Sequence, residues 1–242
     1  MELTDRVILV TGGAHRLGKE MALAAARLGM QVAITYKSSS GFAEATAAEI
    51  EALGRRCLAL RCDQADASQI ETAVKAVHDH FGRLDALVNS ASVFFQKDFF
   101  EVTPPEWDEV MATNTRAPFF FTQAAGRLML AGEGGVIVNI IDESVLRPSV
   151  DYPHHTISKS ALWALTRMSA LRLAPKVRVN AILPGAVLQP PDWDDARYAK
   201  LAQSVPLKRL GSPQDVTRSL EFILRSDYMT GQMIVVEGGT TI

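Results

Sequence analysis

The chain has 242 residues, a formal net charge of -2 and no block of Lys or Arg. It therefore carries no electrostatic footprint for DNA, RNA or an anionic membrane surface, and the expected partner is a small-molecule substrate. Apolar residues make up 48% and charged residues 21%, which excludes a disordered chain and supplies enough apolar surface for one large core, so residues 1–242 are taken as a single domain.

Met1 is followed almost at once by a strand-like run, with no basic-then-apolar leader, and no apolar stretch reaches membrane-spanning length; a cytoplasmic location is expected. Short β-branched runs then recur at Val7–Val10, Val32–Thr35, Cys57–Arg61, Ala86–Asn89, Val136–Ile141, Val177–Ala181 and Met233–Val236. Between them lie Ala- and Leu-rich segments of helical length: Lys19–Leu28, Ala43–Leu53, Ala67–Phe81, Ala117–Leu130 and Ser158–Leu173. This alternation predicts βαβ units and an α/β fold, a Rossmann-type doubly wound αβα sandwich around a seven-stranded parallel sheet. A ligand on such a sheet binds at the carboxyl ends of the strands. Leu188 to Gly211, rich in Pro, Asp and Lys, has no clear periodicity; a substrate loop and a plain surface connection are both open for it. Cys57 and Cys62 are spaced to point to opposite faces of a strand, which argues against a disulfide and fits a reducing compartment. The histidines and cysteines lack metal-ligand spacing.

The first strand runs into Thr11-Gly12-Gly13-Ala14-His15-Arg16-Leu17-Gly18, which opens directly into a helix. Such a turn presents backbone N–H groups and the positive end of a helix dipole, the surroundings a pyrophosphate requires. At the end of the second strand, where an NAD-selective fold carries a carboxylate, the chain has Tyr36-Lys37-Ser38-Ser39. An ammonium and hydroxyls suit a 2′-phosphate, so NADP(H) is the expected cofactor.

Taken in order, Thr11-Gly12-x-x-x-Arg16-Leu17-Gly18, Asp63, Asn89-Ser90-Ala91-Ser92, Asn114, Lys159 and Val177-Arg178-Val179-Asn180-Ala181-Ile182-Leu183-Pro184-Gly185 resemble the short-chain dehydrogenase/reductases over essentially the whole chain. The resemblance narrows to the pteridine and dihydropterin reductases, on Arg16 in the glycine turn, on Ser90-Ala91-Ser92-Val93-Phe94, and on Asp142 where most relatives keep a catalytic Ser. It implies that Gly12, His15, Arg16, Leu17, Gly18, Asp63, Gln64, Ser90, Ala91, Ser92, Lys159, Pro184, Gly185 and Val187 line the cofactor. It implies too that Arg16, Phe94, Asp142 and Tyr152 face the substrate. The reaction so implied is NADPH-dependent reduction of a pterin-like C=N bond, with a carbonyl reductase acting on an oxoacyl or other ketone as the alternative. A homotetramer packed through the Ala117–Leu130 and Ser158–Leu173 helices is also implied, with a dimer as fallback.

One position departs from the family. Its working tyrosine lies four residues before its lysine, and here that residue is His155, ahead of Lys159. The i,i+4 spacing puts imidazole and ammonium on one helix face. A free imidazole titrates near 6.5 and is a competent general acid; Lys159 would push its proton off, and Asp142 would hold it on. Three readings stay open: His155 donates the proton, with Asn114, Asp142 and Lys159 completing the catalytic set; Tyr152 supplies the phenol from two turns away; or the site binds NADPH without efficient turnover. His154 is expected to be an exposed helix-start residue without a role.

Overall fold

The Val- and Ile-rich runs favour pleated, extended backbone and the Ala- and Leu-rich segments between them favour helix, so strand and helix alternate along the chain. A computed structural model describes residues 2–189 and 193–242. The order is β1 (Val7–Val10), α1 (Arg16–Arg27), β2 (Gln31–Tyr36), α2 (Ser40–Ala52), β3 (Cys57–Arg61), α3 (Ala67–Phe81) and β4 (Ala86–Asn89). There follow α4 (Pro104–Met111), a wide π-type turn at Ala112–Arg116, α5 (Ala117–Ala131), β5 (Gly135–Ile140), a 3-10 turn at Glu143–Val145 and α6 (Pro153–Leu173). The chain ends with β6 (Val177–Pro184), α7 (Asp195–Ser204), α8 (Pro213–Arg225) and β7 (Met233–Val236).

All seven strands are parallel, in the order β3-β2-β1-β4-β5-β6-β7. The winding reverses between β1 and β4, which opens a crevice over the carboxyl ends of these two strands. Alternate residues feed opposite cores. Ile8, Val10, Ala86, Val88, Val136 and Val138 pack with α1, α2 and α8. Val7, Leu9, Leu87 and Ile137 pack with α3 and α5. Cys57 and Cys62 are free thiols, the first against one core and the second within the other.

Several boundaries differ from the sequence expectation. Helix α1 starts at Arg16, three residues earlier than expected, and α6 starts at Pro153. Helices α4 and α8 are additional; each opens with a reciprocal side-chain cap, Thr103 with Glu106 and Ser212 with Asp215, followed by proline. The 188–211 stretch carries α7, capped by Asp194 on the Arg197 N–H, while residues 190–192 of that stretch lie outside the described residues. The exposed placement expected for His154 is wrong: the helix begins early enough to turn it inward, where it is fully buried with its ring edge-on to Phe95. Burial lowers its pKa. Among the described residues no helix is long and apolar enough to cross a membrane.

Candidate active site

The β1–α1 turn is shaped by its glycines. Gly12 has φ +65, and a Cβ there would lie 2.9 Å from the Cα of Ala91. A Cβ on Gly18 would lie 2.2 Å from the Gly12 carbonyl oxygen, so any side chain at 18 would force turn and helix apart. The Thr11 hydroxyl accepts from the N–H groups of Ser90 (3.0 Å) and Ala91 (3.1 Å), tying the turn to the strand across the crevice. Helix α1 has no side-chain cap from His15 and no acidic residue in its first turn. Its leading N–H groups are left for an anion, and the close-approach glycines leave room for one, so the turn fits a dinucleotide pyrophosphate.

The other expected cofactor positions collect at the same end of the sheet. Tyr36 closes β2, Lys37 and Ser38 follow it, and Ser39 precedes the first turn of α2. Asp63 and Gln64 follow β3; Ser90, Ala91 and Ser92 follow β4; Pro184 closes β6, with Gly185 and Val187 beyond it. Lys37 Nζ lies 3.0 Å from Asp63 Oδ2, and this bond holds the Asp63 carboxyl below its ordinary range. Gln64 donates to the Thr113 carbonyl (3.1 Å), joining the β3 end to the wide turn. Arg16 sits at φ 53 in the left-handed region and reaches the Gln189 carbonyl (3.1 Å), so the glycine turn is linked to the start of the 188–211 stretch. Leu17 packs into the core beneath the turn.

The residues expected to do chemistry converge on His155. Asn114, buried by the wide turn, accepts at Oδ1 from the Val93 N–H (2.8 Å) and the Ser92 hydroxyl (3.1 Å). That fixes the amide. Its two hydrogens go to the Val93 carbonyl (2.9 Å) and the Ser158 hydroxyl (3.1 Å). None remains for His155 Nδ1, 3.4 Å away, and Nδ1 itself lies 3.2 Å from the Val93 carbonyl oxygen. Nδ1 therefore carries a hydrogen and donates it to Val93, which leaves Nε2 as the exchangeable nitrogen.

Nε2 faces Asp142 Oδ2 at 3.9 Å, an ion-pair distance when the ring is protonated. Burial alone would raise the Asp142 pKa; His155 and the Ser144 hydrogen bonds, at 2.9 Å from the main-chain N–H, outweigh it and hold the carboxyl at about 2. Lys159, one turn further along α6, is buried and donates to the Ile140 carbonyl (3.0 Å). Burial pulls its pKa down to about 8, against the opposing pull of Asp142.

A wall of aromatic rings closes the cluster. Phe94, 49% exposed, stacks on Tyr152 (centroids 4.4 Å, interplanar 13°) and meets the His155 ring edge-on (4.7 Å). The structure thus brings Asn114, Asp142, His155, Lys159, Phe94 and Tyr152 into one place, with Tyr152 built into the wall. Two participants escape sequence reasoning. The Val93 carbonyl is main chain, with no residue-type signal. Ser158, which accepts from Asn114 and donates to the His155 carbonyl (2.7 Å), looks like an ordinary helix serine. Among the described residues no group of His, Cys, Asp and Glu is arranged to hold a metal ion.

Comparison with known proteins follows the same lines. Residues 12–241 match the family model described as Enoyl-(Acyl carrier protein) reductase. A 3-oxoacyl-(acyl-carrier-protein) reductase of Synechocystis sp. is 33% identical over 98% of this chain and 97% of its own. Among solved structures, a blue fluorescent protein from a metagenomic library in complex with NADPH superposes with a TM-score of 0.93 at 33% identity, covering 100% of both chains. FolM alternative dihydrofolate reductase 1 from Brucella canis, complexed with NADP, superposes with a TM-score of 0.92 at 31% identity over 100% of this chain and 96% of its own. On the family model that spans nearly the whole chain and on these relatives, the chain belongs to the short-chain dehydrogenase/reductase family and is an oxidoreductase of that family.

Proposed function

We propose that the protein is an NADPH-dependent reductase of a pterin-like C=N bond, with His155 as the proton donor. The observation that carries this reading is the Phe94 ring, backed by Tyr152 and half open beside the imidazole, a platform matched to a flat heteroaromatic ring. The FolM likeness supports the same branch. NADP(H) is favoured by the lack of a carboxylate at the end of β2, by the hydroxyls of Ser38 and Ser39 beyond it, and by the ligands of the two solved relatives.

When bound, the dinucleotide supplies a hydride to the carbon of the C=N bond. His155 Nε2–H gives its proton to the nitrogen, so that the bond becomes CH–NH and the ring is left as the Nδ1–H tautomer that Val93 already holds. The Asp142 carboxylate, 3.9 Å from Nε2 and partly open to solvent, relays the replacement proton to the ring. Lys159 would orient the nicotinamide ribose, Asn114 holds the Val93 segment, and Arg16 would span cofactor phosphate and substrate. Pro184, Gly185 and Val187, at the carboxyl end of β6, would line the nicotinamide.

The direct check is NADPH oxidation with dihydrobiopterin, dihydromonapterin, dihydrofolate and a panel of simple ketones. Pterin turnover is expected, and Phe94→Ala should raise its KM about tenfold, the scale of one ring-stacking contact. Turnover of ketones alone, indifferent to Phe94, would instead support a 3-oxoacyl or other carbonyl reductase, a reading favoured by the Synechocystis relative. NADPH binding with no turnover would leave a binding protein.

The outer faces of α5 and α6 keep Phe119, Ile157, Met168 and Leu171 exposed, which supports a homotetramer packed through these helices. Sedimentation equilibrium should give four times the chain mass, or twice for the fallback dimer, and Leu171→Glu should lower it.

A further inference from the structure

We propose that Arg61 is the residue that reads the 2′-phosphate of the cofactor, while Lys37 serves as the counter-ion of Asp63; the inference rests on the NADP(H) reading above. Residue type and position nominate Lys37, but its ammonium is already engaged by the Asp63 carboxylate at 3.0 Å. Together the two present a dipole to an incoming anion rather than a net charge.

Arg61 is placed differently. It closes β3, paired in register with Tyr36 at the end of β2. By strand periodicity its side chain lies on the same sheet face as Cys57 and Ala59, which pack against the core containing Ala43 and Ile50 of α2. That is the face on which the segment 37–39 turns into α2. There the Arg61 Nε–H donates to the Lys37 carbonyl (3.3 Å), anchoring the guanidinium to this segment by one nitrogen. The group is exposed, and among the described residues it has no carboxylate partner.

The result is a planar cation, held at the lip of the turn, with its two terminal nitrogens left to take a phosphate in fork geometry. Ser38 and Ser39 follow Lys37 in the same segment. The His15 ring stacks on Phe42 of the first turn of α2 (centroids 5.8 Å, interplanar 22°) and so stands against the helix that this segment enters. A 2′-phosphate received between Arg61 and His15 leaves the Lys37–Asp63 pair intact. Specificity for the phosphate then comes from the third strand rather than from the second.

The test is fluorescence titration of the full-length protein with NADPH and with NADH. Arg61→Ala is expected to weaken NADPH binding about tenfold or more, the scale of a charge-assisted phosphate contact, while the Kd for NADH stays within about twofold. Arg61→Lys should recover part of the loss, and Lys37→Ala should reduce the NADPH/NADH preference less than Arg61→Ala does. An unchanged preference in Arg61→Ala, an equal loss for both nucleotides, or a larger effect of Lys37→Ala overturns the assignment. Wild-type protein with no preference for NADPH would overturn the NADP(H) reading and this inference with it, whereas a preference that survives Arg61→Ala overturns the inference alone.

Discussion

His155→Phe is expected to abolish reductase turnover, lowering kcat by about 10² to 10⁴, the range a positioned general acid contributes, while NADPH still binds. Phenylalanine keeps a ring of similar size against the edge of Phe94 but has no hydrogen to give at the position of Nε2 and none for the Val93 carbonyl. Single-turnover oxidation of bound NADPH, followed with the fluorescence titration, separates loss of chemistry from loss of cofactor. His155→Tyr restores the family's residue on the same helix face as Lys159, so turnover should be retained with a pH dependence moved toward alkaline values. If His155→Phe keeps most of its activity and Tyr152→Phe loses it, the phenol of the aromatic wall is the donor.

Lys159→Met should make the protein more stable and nearly inactive. In the unfolded chain a lysine titrates at about 10.4, whereas burial holds Lys159 at about 8. Because the folded value is depressed, the unfolded chain binds more protons between these two values and stability rises with pH across that window. At pH 7 both states are charged, and the folded state carries a burial cost of about 3 kcal/mol. Methionine removes the charge and keeps most of the stem, at the loss of one charge-assisted hydrogen bond to Ile140 worth about 2 kcal/mol. The net gain of about 1 kcal/mol should raise Tm by about 3 °C at pH 7, and calorimetry at pH 9.5 should find the difference smaller. Turnover that depends on the ammonium should fall in the wild type as pH rises through about 8. A Tm that drops in Lys159→Met would mean that the burial cost is already offset by contacts the ammonium makes.

How much of this was legible in the residues follows from what local sequence can encode. Strands β1, β3, β4 and β7 fall where their apolar runs place them; β1 and β4 are buried on both faces and read as continuous apolar runs, whereas β3 and β7 are half-buried edge strands. The i,i+4 pair His155 and Lys159 was readable from helix periodicity alone. Helices α4 and α8 lie outside the sequence expectation although Thr103-Pro104-Pro105-Glu106 and Ser212-Pro213-Gln214-Asp215 carry a helix-start signal, because proline marks a loop as readily as a first helical turn. Two things no local pattern contains. The burial of His154 depends on how α6 packs against the Phe95 segment, and the tautomer of His155 depends on a main-chain oxygen sixty-two positions away. Lys37 is the opposite case, a residue whose type signals a role at the cofactor while its ammonium also meets a tertiary partner, Asp63, that no local pattern contains.

The wide turn at Ala112–Arg116 has a further consequence. With α4 before it and α5 after it, residues 104–131 form one unbroken rod, and the turn is a phase shifter within it. Point substitutions leave that phase untouched. Loss of a single residue would let the rod wind regularly and would swing everything on its amino-terminal side by about 100° relative to α5. Asn114 would leave the Val93 segment, and Glu106 would swing away from Lys97, which it now meets at 2.9 Å. The active site is thus tuned by chain length inside a helix, so a homologue one residue shorter there would have to hold its proton donor by other means even with every catalytic residue retained.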